Sequence, residues 1–251
     1  MQNRTALITG ATSGIGQATA EKMAQLGTRL ILCGRRTERL EEVKQALSKH
    51  TTVTTLQFDV RDSKQVADAI NSLPDTWKNI DILVNNAGNA HGLSPIQDGD
   101  INDWDAMIDG NVKGLLYVSR AVIPYMVARK TGHIVNLSSV AGKYTYANGA
   151  VYCASKKAVE AISEGMRLDL TQHGIKVTNI APGAVETEFS LVRFKGDAEK
   201  AKKVYEGFDP LLPGDIADAI VYAVSAPARV SIADITIYAG AQAAPTVIYR
   251  K

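Results

Sequence analysis

Seven short aliphatic or β-branched runs, at 5–9, 29–33, 53–58, 82–85, 134–137, 176–181 and 235–238, punctuate the chain. Each of the first six is followed by a stretch with helical spacing. Consecutive strands that are both buried and separated by a helix cannot be hairpin partners. They pair in parallel, with the helices as crossovers packed on the sheet. The alternation predicts an α/β fold, a doubly wound parallel sheet with helices on both faces. Helix ends fall where turn residues stand: Gly27 closes the first helix, Leu73 and Pro74 the third, and Gly174 the helix that begins near Tyr152. No repeat, low-complexity tract or linker interrupts the pattern, so its 251 residues are expected to form one domain, 1–251.

Charge narrows the range of partners. Twenty-eight Lys plus Arg stand against 26 Asp plus Glu, a formal net charge of +2 with no like-charge block. Neither nucleic acid nor an anionic membrane is therefore expected as a partner. The N-terminus runs directly into a strand, and no apolar run approaches membrane-spanning length, so a cytoplasmic protein is expected. Cys33 and Cys153 are too few and unpatterned for a disulfide framework, and no metal site is expected.

The first strand ends in Thr9, Gly10, Ala11, Thr12, Ser13, Gly14, Ile15 and Gly16 before a helix begins. Glycines at a first strand-to-helix junction let backbone approach a pyrophosphate, which the free amides of the helix N-terminus can hold. Turn formation alone would also account for them, but their position favours a dinucleotide site. At the end of the second strand an NAD site calls for a carboxylate, and this chain has Arg35 and Arg36, with the first acid at Glu38. Two guanidiniums suit a 2′-phosphate, so NADP(H) is the expected cofactor; capping of the next helix is the other reading. Asp59 and Val60, after the third strand, fall where an adenine edge would rest. Asn86, Ala87 and Gly88, after the fourth, can line the crevice floor.

The run 134–137 delivers Ser138 and Ser139 at a strand end, and a helix then carries Tyr152 and Lys156 four residues apart on one face. A cation about 5 Å from a phenol, at an effective dielectric of about 20, is worth roughly 3 kcal/mol, or about 2 pKa units. Tyr152 could then serve as general acid or base, with Ser139 hydrogen-bonding the reacting oxygen. A solvated Tyr–Lys surface pair is the plain alternative. Asn111 lies in a helix with Trp104, Ile108, Leu115 and Val118, where Asn is unfavourable by propensity, and an exposed Asn would explain it equally well.

Taken together, the glycines at 10, 14 and 16, Asn86 to Gly88, Asn111, Ser139, Tyr152, Lys156 and the pair Pro182, Gly183 resemble the short-chain dehydrogenase/reductase family over essentially the full length. The interval of 13 from Ser139 to Tyr152 selects Ser139 over Ser138. The resemblance implies a Rossmann-like fold and reversible hydride transfer between a nicotinamide and a carbonyl or alcohol carbon. By it Tyr152 is the proton donor, Ser139 orients the carbonyl, Lys156 lowers the phenol pKa and holds the ribose, and Asn111 holds a water in a proton relay. Pro182, Gly183, Val185 and Thr187 are added to the cofactor site on the same ground. The family also implies a homotetramer, its helices around Asn111 and from Tyr152 to Gln172 pairing into a four-helix bundle; Val159, Ile162, Met166 and Leu170 supply apolar surface for this.

The stretches 34–40, 188–197 and 227–235 resemble the NADP-dependent 3-hydroxy acid (serine or allo-threonine) dehydrogenases and related semialdehyde reductases. Small anionic substrates follow from that resemblance, carboxylates or sulfonates. After Pro182 and Gly183 the chain leaves a strand's C-terminal end and enters 185–213, a segment suited to a substrate lid. Within it Arg193 is the expected anion contact, Lys195 the second candidate and Tyr146 a polar wall. A solvated Arg193 paired with Glu188 or Asp197 is the alternative. The rival functions are an NADPH-dependent reductase of larger neutral carbonyls and a non-catalytic NADP-sensing module. An apolar tail to Lys251 replaces the commoner family ending Asp-Gly-Gly.

Overall fold

The computed structural model describes residues 1–251. Its elements follow in chain order as β1 (Thr5–Thr9), α1 (Gly14–Gln25), β2 (Arg29–Gly34), α2 (Thr37–Leu47), β3 (Val53–Gln57), α3 (Ser63–Asn71), α4 (Asp75–Lys78) and β4 (Ile82–Asn85). Then come α5 (Ile101–Ile108), α6 (Gly114–Arg129), β5 (Gly132–Leu137), α7 (Val140–Lys143), α8 (Ala150–Leu170), β6 (Ile175–Pro182), α9 (Phe189–Arg193), α10 (Ala198–Lys203), α11 (Pro213–Ser225) and β7 (Asp234–Ile237). A small antiparallel hairpin, β8 (Gln242–Ala244) and β9 (Val247–Ile248), ends the chain. The seven main strands pair in parallel in the order β3-β2-β1-β4-β5-β6-β7, a Rossmann-like sheet in a single domain. The seven predicted strands all form; the hairpin in the tail is an element the sequence reading did not contain.

Alternation along each strand sends neighbours to opposite faces. Ala6, Ile8, Leu30 and Leu32 pack on one side against Met23, Ala24 and Ile220 of α1 and α11. Leu7, Ile31, Leu83 and Ile134 pack on the other against Ile70, Val118, Val122 and Leu170 of α3, α6 and α8. Burial on both faces explains why the strands read as continuous apolar runs.

Polar residues cross the second interface as a chain. Asn85 Nδ2 donates to Ser119 Oγ and Asn136 Oδ1, both at 2.9 Å, and Asn136 Nδ2 donates to Ser163 Oγ at 2.9 Å. Both carboxamide nitrogens in that row are paired, while Asn85 Oδ1 is left without a partner, and the row ties β4, β5, α6 and α8 together just behind the sheet's C-terminal edge.

At the opposite end of β5, His133 is buried with Nε2 2.7 Å from Thr178 Oγ1. Burial first, then the charges of Lys176 and Arg4, push its pKa down to about 4. Between that value and the ordinary 6.5 the unfolded chain binds a proton that the folded chain does not. Stability therefore falls as pH drops through this window, by up to about 3 kcal/mol at pH 4. His133→Gln should lose less of its melting temperature than the wild type between pH 6.5 and 4.5; equal losses would assign the acid sensitivity to other groups.

Candidate active site

The strand order reverses between β1 and β4, and at such a point the C-terminal ends of parallel strands diverge to leave a crevice. A cavity of about 880 Å³ opens there. Of all the residues predicted for the site, only Gly16, Asn111 and Lys195 do not line it.

The glycine loop owes its shape to backbone demands. Gly10 has φ +64°, and a Cβ there would come within 2.9 Å of Asn86 Nδ2. Asn86 Nδ2 donates to the carbonyls of Thr9 at 2.9 Å and Gly10 at 3.2 Å, while Thr9 Oγ1 accepts from the amides of Asn86 and Ala87. The first and fourth strand ends are thereby clamped together. Gly16 lies underneath, where a side chain would run into the Gly10 carbonyl. Ser13, preceding α1, makes no side-chain cap bond, so the first amides of this 12-residue helix are left for an anion. A cradle closed to side chains, free helix amides and adjacent guanidiniums together fit a dinucleotide phosphate group.

Arg36 folds over the loop, donating through Nη2 to Thr12 Oγ1 at 3.0 Å and to the Thr12 carbonyl at 3.3 Å, and pairs through Nη1 with Glu188 at 3.2 Å. Neither arginine caps α2: Arg36 occupies the cap position without a side-chain cap bond. Arg35 is largely exposed, 3.7 Å from Asp59 Oδ2. Asp59, expected at an adenine edge, lines the cavity with its carboxylate bonded to Arg61, a residue without a place in the sequence-based expectations. Val60 packs against Gly114, where a Cβ would come within 2.8 Å of its Cγ2.

Ser139 stands at the end of β5 and caps α7, accepting from the Ala141 amide at 3.1 Å and donating to the Pro182 carbonyl at 3.3 Å. Tyr152, buried on the first turns of α8, has its ring 5.7 Å from that of Phe189. Lys156 is also buried and donates to the Leu137 carbonyl at 2.9 Å. Burial lowers its pKa to about 8. The expectation that Lys156 depresses the phenol pKa is not met here. Burial, and after it Tyr146, pushes the Tyr152 phenol above the ordinary tyrosine range, against a hydrogen bond with Ser139 and the charge of Arg193. The opposing cation is Arg193 because the Lys156 ammonium points to a strand carbonyl.

The helix expected around Asn111 is interrupted: a π turn, Asp109–Lys113, joins α5 to α6. Asn111 is buried, which removes the exposed-Asn alternative. Its carboxamide accepts from the Asn89 amide at 2.8 Å and donates to the Asn89 carbonyl at 2.8 Å and Ser155 Oγ at 3.0 Å. Those bonds use both its N–H groups, so the side chain ties the β4 loop to α8 instead of offering a donor to water. Gly88 fits closely above it, since a Cβ would lie 2.8 Å from Asn111 Oδ1.

At the other end of the cavity, Arg193 closes α9 with its guanidinium carbon 5.5 Å from the Tyr152 ring centroid and 5.8 Å from that of Tyr146. Nη2 donates to Tyr146 Oη at 3.1 Å and Nε to the Gly92 carbonyl at 3.4 Å. Neither Glu188 nor Asp197 pairs with it, and no carboxylate lies within 4.0 Å. Lys195 is corrected: it has φ +53°, turns away from the cavity and pairs with Asp103 at 3.0 Å and Asp100 at 3.3 Å. The tail also acquires a place. Gln242 Oε1 accepts from the Ala184 amide at 2.9 Å, and Pro245, Thr246, Ile248 and Arg250 join the cavity wall. No local pattern marks Gln242, 58 positions from its partner.

A crevice of this form, with a phenol, a lysine and a serine meeting beside a glycine cradle, is the site of a nucleotide-linked oxidoreductase. A family model described as short chain dehydrogenase matches residues 4–197, and the chain belongs to that family. It is 46% identical over 227 residues to an NADP-dependent 3-hydroxy acid dehydrogenase of Escherichia coli K12, covering 90% of this chain and 91% of that one. Sulfoacetaldehyde reductase 2 of Chromohalobacter salexigens is 46% identical over 227 residues, 90% of each chain. Among solved structures, the closed form of serine dehydrogenase complexed with NADP+ superposes with a TM-score of 0.92 at 42% identity, covering 98% of this chain and 99% of that chain.

Proposed function

We propose that this short-chain dehydrogenase uses NADP(H) to interconvert a small anionic hydroxy compound, a 3-hydroxy acid or hydroxy-sulfonate, with its aldehyde or ketone. The carrying observation is Arg193: a half-buried guanidinium without a carboxylate partner, 5.5 Å from the Tyr152 ring. Burying such a charge beside a neutral substrate would be costly, whereas a carboxylate or sulfonate would complete it. This favours small anions over acyl thioesters or cyclic ketones, and the names of the relatives point the same way.

The cofactor would be held by the loop from Gly10 to Ile15, by Arg35 and Arg36 at its 2′-phosphate, by Asp59 and Val60, by Asn86 to Gly88, and by Pro182, Gly183, Val185 and Thr187. When bound, it supplies or accepts the hydride. In reduction the Tyr152 hydroxyl gives its proton to the carbonyl oxygen, which Ser139 Oγ also hydrogen-bonds. Lys156, largely cationic at neutral pH, would hold the cofactor ribose. Asn111 keeps the β4 loop and α8 in register. The segment 185–213 covers the substrate end as a lid, which Lys195 ties to Asp100 and Asp103. A cytoplasmic setting, where NADPH is available and thiols such as Cys33 and Cys153 stay reduced, belongs to the same reading.

Initial rates with NADPH should rank malonic semialdehyde and sulfoacetaldehyde well above a neutral aldehyde of equal length. A flat ranking would overturn the anionic assignment.

Association into a homotetramer through α6 and α8 is also proposed. Val159 and Leu170 are buried and Met166 packs against the core, so the outward face rests on Ile162, Leu116 and the exposed Leu168. Analytical ultracentrifugation at micromolar concentration should give a species four times the 26.9 kDa chain; a monomer would exclude the bundle.

A further inference from the structure

Where β2 and β3 end, three arginines meet two carboxylates at the cavity mouth. Arg36 pairs with Glu188, whereas Arg35 and Arg61 share Asp59 unequally. Arg61 Nε lies 3.1 Å from both Asp59 oxygens, Nη2 lies 2.6 Å from Oδ2, and the Arg61 amide donates to Oδ1 at 3.0 Å. Arg35 stays 3.7 Å away, beyond hydrogen-bonding distance, with 60% of its side chain exposed. A carboxylate accepts in about four directions, and Arg61 alone makes four contacts. Burial works to raise the Asp59 pKa, but the hydrogen bonds from Arg61 and the charges of Arg61 and Arg35 bring it below the usual carboxylate range, so the group is charged at neutral pH.

Such a half-exposed pair contributes little to stability. Its effect lies in what Asp59 would do without it. Deprived of Arg61, the carboxylate would have Arg35 as its nearest cation and would draw that guanidinium onto itself. It would also present an uncompensated negative charge to any phosphate placed between β2 and β3.

We infer that Arg61 is a positioning residue for cofactor choice: by saturating the Asp59 carboxylate it leaves Arg35 free for the 2′-phosphate of NADP(H). The inference rests on the reading of Arg35 as a 2′-phosphate contact. Arg61 need not touch the cofactor to act in this way.

The test is a set of NADPH and NADH dissociation constants, by titration calorimetry, for the wild type, Arg35→Ala, Arg61→Ala, Asp59→Asn and the double variant Asp59→Asn/Arg61→Ala. Loss of one charge-assisted contact corresponds to about tenfold in affinity. Arg35→Ala should weaken NADPH by about tenfold and leave NADH within about twofold. Arg61→Ala should reproduce most of that selective loss, and the double variant should bind NADPH about as well as Asp59→Asn alone. Rescue by removing the carboxylate's charge is an outcome that a merely structural arginine would not give. Equal weakening of NADH and NADPH in Arg61→Ala, a double variant no better than Arg61→Ala, or an unchanged Arg61→Ala beside a weakened Arg35→Ala would each overturn the inference alone. An unchanged NADPH-to-NADH ratio in Arg35→Ala would overturn the 2′-phosphate reading and this inference with it.

Discussion

Tyr152→Phe should fold, bind NADPH and lose nearly all turnover, by about 10²- to 10⁴-fold, because only the hydroxyl that moves the proton is removed. The ring remains to pack against Phe189 and to fill the space beneath Arg193. Burial and Tyr146 hold the phenol above its ordinary range, so it is protonated at neutral pH, the form a proton donor to a carbonyl needs. Alcohol oxidation, which needs the phenolate, should therefore speed up as pH rises through the alkaline range, while reduction has no such requirement. The measurement is single-turnover reduction by NADPH, so that product release does not mask the chemical step. Retention of more than a tenth of the wild-type rate, with hydride transfer limiting in both enzymes, would remove Tyr152 from the chemistry.

Arg193→Ala should raise KM for anionic semialdehydes and hardly alter reduction of a neutral aldehyde of similar size. Loss of a hydrogen-bonded charge contact of about 2 kcal/mol corresponds to about 30-fold in kcat/KM. Truncation leaves the main-chain bond from the Gly92 amide to the Arg193 carbonyl, 3.0 Å, so this anchor of the segment survives. Equal losses for charged and neutral substrates would reduce Arg193 to a residue that holds the segment in place. The neutral aldehyde is thus the decisive control.

Local pattern carried the strands well, because both faces of the sheet are buried and each strand had to be an apolar run. It also placed Tyr152 and Lys156 on one face of α8, which spacing alone dictates. What spacing could not tell was the direction of the long lysine side chain, which ends on the Leu137 carbonyl. Arg193 and Lys195 illustrate the same limit: two cations two residues apart part company because α9 ends at Arg193 and Lys195 enters a left-handed turn toward Asp100 and Asp103. The π turn at Asn111 has no signature in composition. The role of Asn111 as a brace emerges only when the Asn89 main chain and Ser155 come within reach. Arg61 could have been noticed two residues after Asp59 at a strand end, but its competition with Arg35 depends on β2 and β3 lying side by side. The terminal hairpin was illegible because its strands are three and two residues long and its anchors, Gln242 on Ala184 and Arg250 on Val204 and Glu206, lie far apart in sequence.

That glutamine sets an order of events during synthesis. The glycine cradle is built from contacts among the first 90 or so residues, Gly10 with Asn86 and Arg61 with Asp59. The cavity wall is complete only once Gln242 reaches Ala184 and Arg250 reaches the carbonyls of Val204 and Glu206. A ribosome adding about 5–20 residues per second needs roughly 10 to 30 seconds to travel from the first of these regions to the second. The nascent chain therefore has the pieces of a nucleotide cradle well before it has an enclosed place for a substrate.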